Sequence, residues 1–300
     1  MKEKTVFIVI AGSIAFLLFL GIVFSFLFIG VNPDLSVFSP GSVAVIELKG
    51  EISSDEGFLG SSASASDIVS LIKRADEDPS IRGILLEVNS GGGSVVASKE
   101  IVNALRNAKK PKLAYISDVG ASGAYYAAAA CNYVMADEDS LTGSIGAISI
   151  VLNFNELMKK YGVKAEVFKS GEHKDIGSPF REMSASEREI MDKIVKQAWG
   201  NFRDKILEFR GKKLDKSRLN EIFDGRIVTG KQALSYGLID ATGSEQDAVK
   251  KLGEMIGVEN PTLRDFSPKK SILSYLSSMG YSFGKGFKTS LESDNISLRS

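Results

Sequence analysis

Residues 6–31, VFIVIAGSIAFLLFLGIVFSFLFIGV, carry no charged side chain. A run of that length exceeds the roughly 20 residues an α-helix needs to cross the hydrocarbon of a bilayer. It therefore predicts a transmembrane anchor. A cleaved signal peptide is the competing reading, but its apolar region covers about 7 to 15 residues and ends at a small-residue cleavage site. Lys2 and Lys4 stand before the run, and the first basic residue after it is Lys49. By the positive-inside rule the N-terminus then belongs in the cytoplasm, and the chain beyond the anchor on the outer face of a cytoplasmic membrane. The expected organisation is a cytoplasmic N-terminus at 1–5, the anchor at 6–31, a Pro- and Ser-containing linker at 32–42, one globular domain at 43–263, and a Ser-, Lys- and Gly-rich tail at 264–300.

The remaining composition excludes several chemistries. Lys plus Arg and Asp plus Glu both total 37, so the chain lacks the positive excess that gathers around nucleic acid. Cys131 is the sole cysteine, which excludes an intrachain disulfide and any multi-cysteine metal site. His173 is the sole histidine, which leaves one position for the usual general base and the usual zinc ligand.

Past the linker, apolar β-rich runs alternate with helical patterns. Strands are expected at VAVIEL (43–48), GILLEV (83–88), KLAYIS (112–117), 132–136, AISIVL (147–152) and AEVFKS (165–170). Helices are expected near 66–76, 95–108, 123–130, 154–161, 186–210, 216–222, 230–236 and 245–256. The alternation predicts an α/β domain with a largely parallel sheet. GILLEV and KLAYIS are almost continuously apolar, as strands covered on both faces are, and belong at its centre.

Three small-residue turns fall at strand ends, where an open α/β sheet places its reactive groups. NSGGGS at 89–94 can turn sharply and aim backbone amides outward, as an oxyanion hole requires. It lacks the Walker spacing and lysine of a phosphate loop. DVGASGAYYAAAA at 118–130 sets Ser122 between a strand and a helix, a position for a nucleophile or a plain N-cap. TGSIG at 142–146 and KSGEHKDIGSPF at 169–180 offer a base in Lys174, in what reads as a polar loop. A lysine takes a proton only when neutral, and the ordinary pKa near 10.4 requires desolvation or positive neighbours to make that form available. His173, with Glu172 and Asp175 beside it, would be the base of a conventional triad. Cys131 reads as a small buried core residue. Tyr125 and Tyr126 could line a substrate groove, although packing beneath the sheet is the ordinary fate of at least one of them.

NSGGG, ASGAYY, LTGSIG, SGEHKDIGSPFREM and GRIVTGKQALSYGLID (225–240) occur in that order, and the span from about Val43 to Gly257 resembles the signal peptide peptidase A family. The resemblance implies the Clp protease/crotonase-like fold and a serine endopeptidase that degrades remnant signal peptides or similar apolar peptides. It implies Ser122 as nucleophile, Lys174 as general base, Ser144 as the serine that orients the lysine, and the amides of Gly93 and Gly123 as the oxyanion hole. It implies no metal or nucleotide cofactor, and a homo-oligomer whose groove is completed between subunits. Two positions depart from the family pattern: Gly91 stands where proline is common, and Ala124 where glycine is common. A non-catalytic anchored scaffold and a crotonase-like acyl-CoA enzyme are the rival readings.

Overall fold

The structure, a computed structural model, describes residues 41–54 and 62–266. The expected anchor and nearly all of the expected tail lie outside the described residues, among which no helix is long and apolar enough to cross a membrane. The elements run β1 (Ser42–Lys49), β2 (Glu51–Ser53), β3 (Ser62–Ser64), α1 (Ala65–Glu77), β4 (Ile81–Ser90), α2 (Val95–Asn107), β5 (Lys112–Ala121), α3 (Gly123–Ala129), β6 (Tyr133–Ala136) and β7 (Leu141–Gly143). Next come α4 (Asn155–Lys160), α5 (Ala185–Arg210), a 3₁₀ turn (Lys216–Arg218), α6 (Leu219–Ile222), β8 (Ile227–Thr229), α7 (Gly230–Tyr236), β9 (Ala241–Thr242), α8 (Glu245–Ile256) and β10 (Leu263–Asp265).

The main sheet has the order β10-β1-β4-β5-β6-β9, every pair parallel, so the domain is α/β with a mostly parallel sheet and β4 and β5 at its centre. Successive residues of β4 explain its unbroken apolar run. Ile84, Leu86 and Val88 pack into the core shared with α1, α2 and α3, while Leu85 faces the other way, against Ala248, Leu252 and Ile256 of α8. With both faces covered from Ile84 to Leu86, neither parity is free to be polar there; Glu87, on the side of Leu85, is only half-buried. The last strand reaches Asp265 and Phe266 is buried, so ordered structure crosses the boundary expected between 263 and 264.

β5 forks the sheet. Leu113–Ile116 pair with β6, whereas Val119–Ala121 pair with β7, which in turn pairs antiparallel with β8. On its other side β5 keeps to β4 as far as Ser90 opposite Gly120. The three small-residue turns thus stand at the ends of three adjacent strands.

Two expected strands are absent. AISIVL (147–152) and AEVFKS (165–170) form no ladder, and Ile148, Ile150 and Phe168 are 85%, 77% and 94% exposed. β-propensity alone does not make a strand: the backbone groups need a neighbouring edge, and the folded chain sets none beside these segments. Between them, α4 buries none of its residues. The short strands β2, β3 and β7–β10 are not foreseeable from the sequence, because runs of two or three residues carry no periodicity to read.

Candidate active site

Ser122 occupies the corner between β5 and α3 with φ 53° and ψ −123°. This conformation is sterically poor for any residue with a Cβ, and holding one there costs about 1–3 kcal/mol. The surroundings impose it. The Ser122 N–H donates to Gly143 O (2.9 Å), its carbonyl accepts from the Tyr126 N–H (2.9 Å), and every residue of α3 is buried. The hydroxyl makes no capping hydrogen bond, so helix capping does not account for a serine here. Among the described residues, the non-glycine positions with positive φ are Ser122 and Ser144 (φ 51°).

The glycine turn stands alongside. Ile52 of β2 bridges Gly93 in parallel, its N–H donating to Gly92 O (2.9 Å) and its carbonyl accepting from the Ser94 N–H (2.8 Å). In that pattern Ile52 uses the residues flanking Gly93, and the N–H of Gly93 itself points away from β2. Gly123, first in α3, has an N–H without an intrahelical acceptor. Close approach explains both glycines: a Cβ on Gly93 would lie 2.1 Å from Ile52 O, and one on Gly123 would lie 2.1 Å from Ser98 Oγ and 3.6 Å from Gly93 N. Gly93, Ser122 and Gly123 line one cleft of about 510 Å³. Its walls are largely apolar (Val95, Val96, Tyr126, Ala198, Phe202), with Lys99, Asp204, Lys205 and Glu208 among its other lining residues. Chemically, this sets a hydroxyl beside two backbone donors next to an apolar slot, the parts an acyl transfer needs.

The two tyrosines divide. Tyr126 lines the cleft with its ring 4.9 Å from that of Phe202, while Tyr125 is fully buried and donates its hydroxyl to Leu238 O (2.7 Å). Burial pushes the Cys131 thiol up to about 12, which makes it a poor nucleophile. Ala124, where the family commonly has glycine, is fully buried, and its methyl fills core. Gly91, where the family commonly has proline, is exposed with open space about it.

Ser144 and Lys174 are placed differently. Ser144 comes directly after β7, its N–H bonded to Arg226 O (2.8 Å). Lys174 is exposed in the loop before α5 and does not line the cleft; among the described residues no hydrogen bond joins it to Ser144 or to Ser122. The structure thus brings Ser122, Gly93 and Gly123 together in one chain and leaves Lys174 apart. His173 does not line the cleft either. Its Nδ1 lies 3.9 Å from Glu187 Oε1 rather than against Glu172 or Asp175.

Sequence reasoning missed Arg181, which binds both Asp175 and Glu187. Hydrogen bonds from Arg181 and then Lys169 hold the Asp175 carboxyl well below the usual carboxylate range. Those from Arg181, followed by the Ser184 N–H, lower Glu187 to about 2. The available signal was Ser184 followed three residues later by Glu187, a capping box that fixes where α5 begins.

Comparison with known proteins finds peptidases. Residues 104–259 match the model of peptidase family S49. A putative protease of Methanocaldococcus jannaschii is 34% identical over 86% of this chain and 84% of its own length. A putative signal peptide peptidase of Enterococcus faecium is 36% identical over 60% of this chain and 53% of its own, and the chloroplastic serine protease SPPA of Arabidopsis thaliana is 32% identical over 80% and 37%. A membrane-bound stomatin-specific protease, solved as a mutant with a substrate peptide, superposes with a TM-score of 0.50 at 17% identity, covering 80% of this chain and all of that one, a likeness of fold. The chain belongs to peptidase family S49, the signal peptide peptidase A family of serine proteases.

Proposed function

We propose that this serine protease is a membrane-anchored endopeptidase on the outer face of the cytoplasmic membrane, cutting remnant signal peptides or similar apolar peptides through a Ser122–Lys174 dyad. The observation that carries the reading is Ser122, held at φ 53° on a cleft it shares with Gly93 and Gly123. The neutral amine of Lys174 takes the hydroxyl proton as Ser122 Oγ attacks the peptide carbonyl. The amides of Gly93 and Gly123 stabilise the oxyanion. The lysine ammonium returns the proton to the departing amine, and water then hydrolyses the acyl-enzyme. Ser144 orients the lysine. The apolar walls of the cleft suit apolar side chains of a substrate, and an anchor at 6–31 keeps the enzyme where such peptides are released.

The same reading makes the enzyme a homo-oligomer of the Clp protease/crotonase-like fold. Lys174 stands outside the cleft, and Ile148, Ile150, Leu152 and Phe168 on the arm before it are uncovered within one chain. A neighbouring copy that buries the arm completes the groove and brings Lys174 to a Ser122 across the interface. The test is hydrolysis of a fluorogenic signal-peptide analogue by the parent and by Ser122→Ala, Lys174→Ala and His173→Ala. The two dyad variants should be inactive singly, the histidine variant active, and a mixture of the two inactive proteins partly active. Loss of activity in His173→Ala would reassign the base, and an inert mixture would place the dyad within one chain.

A further inference from the structure

The loop around Lys174 carries charges that the proposed reaction does not use. Arg181 donates from Nε and Nη2 to Asp175 Oδ2 and Oδ1 (2.8 and 2.7 Å), and from Nη1 and Nη2 to Glu187 Oε2 and Oε1 (2.8 and 2.6 Å). Both carboxylates are gripped by two bonds, a geometry the planar guanidinium supports and an ammonium does not. Each is tied further. Asp175 Oδ1 accepts from Lys169 Nζ (2.8 Å), which also donates to Glu172 O (2.8 Å), and Glu187 Oε2 accepts from the Ser184 N–H (2.9 Å). Glu187 is only 2% exposed, although it lies on the first turn of a helix whose surface is mostly open.

The backbone between these ties is wound into turns. The Lys174 N–H donates to Gly171 O (3.2 Å), the Ile176 N–H to His173 O (3.1 Å) and the Ser178 N–H to Asp175 O (2.9 Å). Among the charges from 169 to 181, Lys169 is held by Asp175, Arg181 by Asp175 and Glu187, His173 lies toward Glu187, and the exposed Glu172 meets Lys169 Nζ through its backbone carbonyl and forms no ion pair with Lys174. Lys174 is left, among the described residues, with no ion pair or side-chain hydrogen bond. The adjacent carboxylate, Asp175, is taken up by Lys169 and Arg181.

We infer that Arg181 is a positioning residue for Lys174, fixing the loop against the start of α5 and keeping Asp175 from pairing with the lysine. The inference rests on the reading of Lys174 as general base. It also explains why Lys174 and not Lys169, five residues earlier in the same loop, is the available amine.

The test uses the full chain, with an apolar fluorogenic peptide as substrate and melting curves on the same preparations. Arg181→Ala should lower kcat by about 10- to 100-fold, the range for groups that orient a reacting residue, with KM near the parent value. Arg181→Lys should do no better, and millimolar guanidinium chloride should restore part of kcat to Arg181→Ala where sodium chloride of equal ionic strength does not. If Arg181→Ala folds poorly because Glu187 is left buried and unpaired, the same kcat criterion applies to Arg181→Ala/Glu187→Gln. A folded Arg181 variant with parental kcat, a loss confined to KM, or a loss that guanidinium does not relieve overturns the inference. Lys174→Ala, run in parallel, should stay inactive with guanidinium; activity there removes the base assignment itself, however Arg181 behaves.

Discussion

Replacing Ser122 with glycine should abolish activity and raise stability. The backbone at φ 53°, ψ −123° is one that glycine adopts readily and residues with a Cβ do not. Relief of that strain is worth about 1–3 kcal/mol. Against it stands the greater freedom of glycine in the unfolded chain, about 0.5–1 kcal/mol. The serine hydroxyl makes no capping bond that would be lost, so the net gain is roughly 0.5–2 kcal/mol. Ser122→Ala keeps its Cβ and the strain, and stays within about 0.5 kcal/mol of the parent. For a domain of this size each kcal/mol moves the melting temperature by about 2–4 °C. Urea denaturation and thermal melting of the two variants decide the matter, since both lack the nucleophile and neither digests itself during the scan. A glycine variant no more stable than the alanine variant would refute the claim that the fold strains this corner to present the hydroxyl.

Three further outcomes rest on particular contacts. Gly123→Ala puts a methyl 2.1 Å from Ser98 Oγ, so urea denaturation should show a loss of about 1–3 kcal/mol from overpacking, partly recovered in Gly123→Ala/Ser98→Gly. Cys131 should resist thiol reagents at pH 8 in the native protein and react once urea unfolds it, because burial both covers the thiol and holds it up at about 12; iodoacetamide should leave activity unchanged. Arg181 lowers Glu187 to about 2 in the folded chain, against an ordinary glutamate value near 4.3. A lowered folded-state pKa stabilises above the unfolded value and loses that contribution as pH falls through the folded one. The parent should therefore lose stability between about pH 4.3 and 2, with a flatter acid limb in Glu187→Gln, as followed by circular dichroism.

Most of the domain is legible in the sequence because its signals are local. β1, β4, β5 and the helices from α1 to α8 announce themselves by apolar runs or helical spacing, and the long helix is marked by its capping box at Ser184 and Glu187. The corner at Ser122 is legible as a nucleophile or an N-cap, and what separates the two is the absent capping bond and the backbone angle, neither of which residue types reveal. The fork of β5 is hidden altogether. Its second half pairs with β7, a strand of three residues too short to carry a pattern, and this pairing delivers Gly143 O to the Ser122 N–H. The Arg181 clamp is hidden for a different reason: an arginine between two acidic residues six positions away on either side is ordinary composition until the loop and helix fold onto each other.

The failure at 147–152 and 165–170 is of another kind. Ile148, Ile150, Val167 and Phe168 have the residue types of buried strands, and their propensity for the extended conformation is real. What a sequence does not state is whose edge completes a strand. Apolar side chains on unpaired backbone, beside a helix that buries none of its own residues, mark a surface suited to a covering partner. The arm they form leads directly into the loop that holds Lys174 apart from the cleft of its own chain. Under the proposed assembly the two oddities have one cause: the side chains that have no partner and the base that has no nucleophile are both waiting on the same neighbouring copy. A protease whose base arrives only on assembly is idle as a single chain, so specific activity should fall on dilution below the dissociation constant of the assembly, in step with the oligomer fraction measured by sedimentation. Activity independent of concentration while the chains separate would break that link.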